Sequence, residues 1–244
     1  MKRAALSARG ERLRSEDGAP KRAVVLLSGG LDSATALYWA RSRGWRTTAL
    51  CVRYGQRHDR EFDGARRIAR EAGADFVPIR LTLPWLKESS LVDAGRPLPD
   101  VPARSIGKRG IPTTYVPGRN TVFLALAVSL ADATGAGAVV IGSNCQDYSG
   151  YPDCRPRFNR AFQEAAKLGT RRGVDGKPIG ILAPLMKLDK AGIVRLAYKL
   201  GVPLGWTWSC YRGGRRPCGR CDSCKLRAQG FAQAGVDDPA LKRS

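Results

Sequence analysis

The sequence has little histidine and few acidic side chains, and it lacks any long apolar stretch. His58 is the only histidine, which excludes a metal centre built from several histidines. No apolar run approaches the roughly 20 residues needed to cross a bilayer, and the basic N-terminus lacks the apolar core of a signal peptide. We therefore expect a cytoplasmic protein that needs no membrane.

The shortage of acidic residues gives a formal net charge of +21, from 42 Lys and Arg against 21 Asp and Glu. Clustered basic residues are typical of nucleic-acid binding because they displace counterions from phosphates. Here the basic residues are spread along the whole chain, which favours solubility and a general attraction for polyanions. We expect no required nucleic-acid partner, with a dedicated tRNA or DNA surface as the alternative.

Apolar segments alternate with helical stretches along the chain. The segments with strand character lie at 23–27, 47–53, 75–79, 138–142 and 181–185. The helical stretches end at glycines, which suit the left-handed conformation that often follows a helix; these are Gly44, Gly73, Gly135, Gly169 and Gly201. The alternation predicts an α/β fold, an open parallel five-stranded sheet with helices on both faces.

The segment 23–44 has the pattern of a strand, a tight turn and a helix. Its turn contains Ser28, Gly29 and Gly30, and adjacent glycines let a backbone approach a ligand closely. The helix that follows offers unpaired N–H groups and the positive end of its dipole, a combination typical of phosphate sites. The alternative is an ordinary strand-to-helix connection in which Ser28 or Asp32 caps the helix.

Four of the seven cysteines lie close together near the C-terminus, at Cys210, Cys218, Cys221 and Cys224. The spacing Cys-x7-Cys-x2-Cys-x2-Cys suits tetrahedral zinc, which takes four thiolates. An odd cysteine count in an intracellular chain argues against disulfides, and an iron–sulfur cluster is the other alternative. Because the protein fills all four positions, we expect such a metal to stabilise the fold.

Six motifs together resemble the 7-cyano-7-deazaguanine synthases, the QueC family. They are SGGLDS at 28–33, YGQRH at 54–58, VPGRN at 116–120, DYSGYPDCR at 147–155, PLMKLDK at 184–190 and the four cysteines. SGGLDS alone would indicate only the wider superfamily of PP-loop ATP pyrophosphatases, whereas SGYPDCR together with the cysteines is far more specific. The resemblance runs from about Lys21 to near the C-terminus.

The resemblance implies a fold similar to the adenine-nucleotide α-hydrolases. With the polar, non-periodic N-terminus that lies outside it, we expect three regions. These are a disordered basic tail at 1–20, a PP-loop ATP-binding catalytic domain at 21–204 and a zinc-binding segment at 205–244. The expected cofactors are ATP, Mg²⁺ and one structural Zn²⁺, and relatives suggest a homodimer.

The activity that the resemblance implies is that of an ATP-dependent ligase. It would convert 7-carboxy-7-deazaguanine and ammonia into the nitrile, a queuosine precursor, through two successive adenylations. One alternative is a tRNA-modifying PP-loop enzyme such as a thiolase, which Cys145 and Cys154 keep open. A zinc-ribbon binding module is another, but it leaves SGGLDS without a role.

The resemblance also implies site residues. The ATP site would cover Leu27, Ser28, Gly29, Gly30, Leu31, Asp32, Ser33, Ala34, Thr35, Ala36 and Leu37, with Asp32 and Lys190 as catalytic candidates. The substrate-binding candidates are Arg119, Asn120, Asp147, Tyr151 and Asp153. Arg119 would pair with the substrate carboxylate and an aspartate would accept the N–H groups of the guanine-like ring. Alternatively, Arg119 and Asn120 open the next helix and the aspartates cap turns.

Overall fold

The computed structural model describes residues 21–57, 60–106, 110–144 and 150–241. Its five strands form one parallel sheet in the order β3-β2-β1-β4-β5. The strands are β1 (Arg22–Leu26), β2 (Arg46–Arg53), β3 (Asp75–Arg80), β4 (Ala138–Val140) and β5 (Gly180–Leu182). The predicted open five-stranded sheet is thus confirmed, although β4 and β5 end earlier than the apolar segments from which they were predicted.

Helices cover both faces of the sheet, also as predicted. They are α1 (Leu31–Ser42), α2 (Arg60–Glu71), α3 (Arg119–Thr134), α4 (Pro156–Gly169), α5 (Arg171–Val174), α6 (Lys190–Lys199) and α7 (Asp222–Ala234). Val25 of β1 packs in the core that contains α1, α2, α6 and α7, whereas Val24 packs in the core with α3 and α4. Because successive side chains point to opposite faces, a central strand covered on both sides is apolar throughout.

Four of the five predicted helix-ending glycines have positive φ angles, at Gly44, Gly73, Gly135 and Gly201. The helix α4 does end at Gly169, as predicted, but the left-handed conformation expected there is wrong, since its φ is not positive. The chain leaves α4 through Thr170, whose side chain caps α5 by accepting the N–H of Gly173 at 3.1 Å. A side-chain cap therefore takes the place of the left-handed glycine.

The cysteine-bearing segment shares the core of the sheet. Phe231 of α7 is buried in the same core as β1 and α1. Arg227 is also buried and donates to both carboxylate oxygens of Asp238, at 2.6 and 2.9 Å, and to Thr207 Oγ1 at 2.9 Å. This ion pair ties α7, the chain end and the segment before Cys210 together. The boundary between residues 204 and 205 remains a prediction.

Two expectations concern the chain as a whole. The predicted basic tail at 1–20 lies outside the described residues. Among the helices of the described ranges, none combines the length and apolar character that a membrane span requires.

The buried Arg227–Asp238 pair gives a stability prediction. Asp238→Ala leaves a buried guanidinium without its carboxylate, so we expect the free energy of unfolding to fall by about 3–5 kcal/mol. Urea denaturation measures the change. The control is Asp175→Ala, which removes an exposed partner 3.7 Å from Arg171 and is expected to cost at most about 1 kcal/mol. Equal losses in the two variants would contradict the structural role of the buried pair.

Candidate functional site

In the turn after β1, the backbone N–H groups of Ser28 and Gly30 donate to serine hydroxyls. Ser33 Oγ accepts the N–H of Ser28 at 3.2 Å and donates to the Gly30 carbonyl at 3.1 Å, which closes the loop on itself. Gly30 is the N-cap of α1, and no side chain caps this helix. The alternative of a helix capped by Ser28 or Asp32 is therefore wrong. An uncapped helix N-terminus behind a glycine turn can bind an anion such as phosphate.

Gly29 is the most crowded point of this loop. Its φ is +92°, and a Cβ atom there would lie 2.0 Å from the Glu61 carbonyl oxygen of α2. On its other side, the Gly29 carbonyl accepts the N–H of Trp208 at 3.0 Å. The loop is thus clamped between α2 and the segment that leads into the cysteines.

The structure brings together the two predicted catalytic residues. Lys190, the first residue of α6, donates to both carboxylate oxygens of Asp32 at 3.0 and 2.7 Å. Asn144, which follows β4, donates to the same carboxylate at 2.9 Å. A Cβ atom at Gly230 would lie 2.5 Å from Lys190 Cγ, so α7 rests directly on the lysine stem. Asn144 was not among the predicted site residues.

A cavity of about 300 Å³ joins the loop to three of the predicted substrate residues, Arg119, Asn120 and Tyr151. Asp153 is buried, and its carboxylate accepts the backbone N–H of Asn120 at 2.9 Å in the first turn of α3. Arg119 and Asn120 thus begin the helix, as the alternative predicted, while Asp153 contacts that helix. Asp147, like Cys145, lies outside the described residues.

Arg119 is a cation held inside this cavity. Its guanidinium donates to the Tyr54 hydroxyl at 3.2 Å. Burial by itself would lower the pKa of Arg119, but the neighbouring Tyr54 oxygen outweighs that effect and the pKa is raised. The hydroxyl of Tyr151, on the same wall, forms a hydrogen bond with the hydroxyl of Thr114 at 2.8 Å. The site therefore combines a permanent positive charge with oriented phenol groups.

Glu61 is a cavity residue that the sequence reasoning missed. Burial raises the pKa of its carboxyl to about 7, an effect opposed by Arg119 and reinforced by Cys210. The residue follows the YGQRH motif and lies in the first turn of α2, where acidic residues favour the helix dipole. Because an acidic residue in the first turn of a helix is common, the sequence alone gave no sign that Glu61 lines the cavity.

The four cysteines meet as predicted. Their Sγ atoms all lie within 4.8 Å of one another, and those of Cys218 and Cys224 are 4.0 Å apart. Tetrahedral zinc with bonds of about 2.3 Å requires sulfur–sulfur distances of about 3.8 Å. Cys221 caps α7 and Cys224 lies in its first turn, so the helix dipole favours thiolate charge. The donor set fits a four-coordinate metal ion.

Hydrogen bonds give three of the thiols, those of Cys210, Cys221 and Cys224, different pKa values. Contacts with Cys221 and Cys224 hold the pKa of Cys210 far below its usual range. The contact with Cys210 raises the pKa of Cys221 to about 11, and the pKa of Cys224 is raised further still. Ionisation of one thiol therefore disfavours ionisation of the others. This is expected of a site in which a bound cation is needed to bring all the sulfur atoms to the thiolate form.

Trp208 connects the cysteines to the loop after β1. Its indole N–H donates to the Cys210 carbonyl at 2.9 Å, while its backbone N–H donates to Gly29. An ordered cysteine cluster consequently holds one side of the phosphate-binding candidate in place.

A family model described as "Queuosine biosynthesis protein QueC" matches residues 22–235. The chain belongs to the QueC family. The 7-cyano-7-deazaguanine synthase of Anaeromyxobacter dehalogenans (strain 2CP-C) is 53% identical over 221 residues, covering 90% of this chain and 94% of that protein. The corresponding QueC relative from Acinetobacter baylyi is 49% identical over 229 residues, covering 93% and 97%. The resemblance seen in the motifs is confirmed.

Among solved structures, this QueC-family chain is similar to the NMN synthetase from Francisella tularensis. The TM-score is 0.48 at 16% identity, with 89% of this chain and 78% of that chain covered.

Removing a cysteine ligand tests the metal centre. Cys221→Ser takes away one of four sulfur donors, so we expect the purified protein to lose most of its bound metal and to unfold at a lower temperature. Elemental analysis and thermal denaturation are the measurements. Cys154→Ala, which changes a buried cysteine outside the cluster, should keep its metal. Full metal content in Cys221→Ser would show that the cluster is not the ligand set.

Crowding at Gly29 gives a second prediction. Gly29→Ala and Gly135→Ala both place a side chain at positive φ, but only Gly29 has an atom in the way. We expect Gly135→Ala to cost about 1–2 kcal/mol of unfolding free energy. Gly29→Ala should cost more and should also weaken ATP binding, measured by calorimetry, because the loop must move away from Glu61. Unchanged ATP affinity in Gly29→Ala would argue against the loop as the phosphate site.

Proposed function

We propose that this chain is an ATP-dependent 7-cyano-7-deazaguanine synthase that converts 7-carboxy-7-deazaguanine and ammonia into the nitrile. The names of its relatives support the substrate class. The observation that carries the proposal is a shared cavity lined by the Ser28–Ser33 loop, Lys190 and Arg119. A candidate anion-binding loop beside a half-buried arginine suits a reaction between a nucleotide and a carboxylate.

The first half-reaction forms an amide. The substrate carboxylate attacks the α-phosphorus of ATP, the bond to the β-phosphate oxygen breaks, and pyrophosphate leaves. Ammonia then attacks the activated carbonyl carbon, AMP leaves with the former carboxylate oxygen, and one proton is released. Adenylation is needed because hydroxide is a poor leaving group from a carboxylate.

The second half-reaction forms the nitrile. The amide oxygen attacks the α-phosphorus of another ATP, and pyrophosphate leaves again. Cleavage of the carbon–oxygen bond releases AMP, and loss of the two N–H protons over this half-reaction completes the C≡N bond. The scheme uses two ATP and gives two AMP and two pyrophosphate for each nitrile.

We assign the nucleotide contacts to the segment from Leu27 to Leu37. The backbone and hydroxyl donors of Ser28, Gly29, Gly30 and Ser33 would hold the departing pyrophosphate and stabilise its developing charge. Asp32 is the proposed Mg²⁺ ligand, directly or through water, and the ion would neutralise phosphate charge. Lys190, which donates to the Asp32 carboxylate, would bring its positive charge close to the α-phosphate.

We assign the acid substrate to the Arg119 side of the cavity. Arg119 would bind the substrate carboxylate by two N–H donors, while Asn120 and Tyr151 form the neighbouring wall. Asp153 would support this wall through its contact with Asn120. Asp147 remains a predicted contact.

We further propose one structural Zn²⁺ on Cys210, Cys218, Cys221 and Cys224. Four thiolates give the site a formal charge of about −2, and the cluster segment contains Arg212, Arg215, Arg216 and Arg220 to offset it. The metal would leave catalysis to other groups. A homodimer that works in the cytoplasm without nucleic acid or membrane completes the proposal.

The decisive experiment incubates purified protein with ATP, 7-carboxy-7-deazaguanine and ammonium, and follows the nitrile and AMP by mass spectrometry. We expect two AMP for each nitrile. Asp32→Ala should lower AMP release by about 10²-fold or more, because it removes a fixed charge from the phosphate site, with circular dichroism unchanged. Asp75→Ala, an exposed aspartate paired with Arg46, should keep wild-type turnover.

Two outcomes would overturn the assignment. Wild-type protein that forms no nitrile under these conditions rules out the synthase activity, and sulfur transfer to tRNA would then support the thiolase alternative. Retained turnover in Asp32→Ala would rule out the proposed phosphate site.

A further inference from the structure

Glu61 differs from the other acidic residues of α2 by its surroundings. Asp63 and Glu71 are exposed, whereas Glu61 lines the cavity beside the loop. The close approach of its own carbonyl to Gly29 fixes the start of α2 against that loop. The side chain is therefore held at the site by the backbone packing of its helix.

The Glu61 carboxylate has no hydrogen-bond partner and no ion pair in the described part of the chain. Glu61 is half-buried where it lines the cavity, and carboxylates inside proteins are normally met by donors. Both oxygens are thus available to accept hydrogen bonds from a ligand.

The other nearby acids already have partners. Among the described residues that line the cavity, Asp32 and Glu61 are the acidic ones. Lys190 and Asn144 occupy the Asp32 carboxylate, and Asp153 supports the first turn of α3. A ligand that presents paired N–H donors meets an uncommitted carboxylate only at Glu61.

Arg119 and Glu61 influence each other electrostatically but form no ion pair. Both line the same cavity, so the space between them suits a ligand with an anionic group at one end and donors at the other. A 7-carboxy-7-deazaguanine ring has this form, because its carboxylate lies opposite the edge that bears the ring N–H and the 2-amino group. Tyr54 and Phe123 supply flat apolar surface for the ring.

We propose that the Glu61 carboxylate binds the ring N–H and the 2-amino group of the deazaguanine, and so selects 2-amino-substituted deazapurine acids. The two carboxylate oxygens match the two parallel donors of that edge. A ring that lacks the 2-amino group would leave one buried oxygen unpaired, which sites of this kind reject strongly. This inference rests on the proposed function, since it names a contact for the same substrate.

The test compares two acids, 7-carboxy-7-deazaguanine and its analogue that has hydrogen in place of the 2-amino group. Wild-type protein should prefer the amino compound by at least about 10²-fold in kcat/KM. In Glu61→Gln the preference should fall to about tenfold or less, because the amide keeps one acceptor and loses the other. The change should come from the KM of the acid, with the KM values of ATP and ammonium unchanged.

Direct binding gives a readout that does not depend on turnover. Calorimetry without ammonium should show the same loss of preference in the Kd values of the two acids. Glu71→Gln makes the identical substitution at the exposed end of α2 and should leave the preference intact. Unchanged circular dichroism and ATP affinity in Glu61→Gln would show that the fold and the nucleotide site are preserved.

The outcomes separate this inference from the proposed function. A wild-type protein that makes nitrile while Glu61→Gln keeps the full preference overturns the inference alone. A change confined to the KM of ammonium also overturns it, because Glu61 would then serve the other substrate. If the wild type makes no nitrile, the proposed function fails, and equal Kd values for the two acids would overturn this contact as well.

Discussion

The packing around Gly29 is the constraint on which the rest of the site depends. A single residue without a side chain lies between the Glu61 carbonyl of α2 and the backbone of Trp208. The positive φ and the lack of space both require glycine there. These contacts at Gly29 fix both the start of α2 and the segment that leads to the cysteines. The positions of the loop, the cavity wall and the cysteine cluster therefore depend on one another.

The candidate site is built from elements that are distant in sequence. Asp32 and Lys190 lie 158 positions apart, yet α1 and α6 start at the same edge of the sheet because parallel strands end there. The helix α7 packs over α6, and glycine at position 230 leaves room for the aliphatic part of Lys190. A side chain at position 230 would clash with it. The charge at the phosphate loop is therefore positioned by the core of the fold.

The sequence was most informative where chemistry follows local spacing. The strand–turn–helix at 23–44 and the four cysteines were predictable because glycine geometry and thiolate coordination need residues close together in the chain. Glu61 and Asn144 escaped prediction because each is ordinary in its own segment and becomes distinctive only through tertiary contacts. The left-handed conformation expected at Gly169 was wrong for a related reason, since a side-chain cap at Thr170 took its place.

The bond between Gly29 and Trp208 has a consequence for how the protein is made. The two residues are far apart in the sequence, so a ribosome must synthesise the chain through Trp208 before the hydrogen bond can form. A nascent chain that ends before Trp208 contains every residue of the loop but lacks the N–H that holds it. The loop after β1 therefore gains this contact only after Trp208 has been added, and fragments released before that residue lack it.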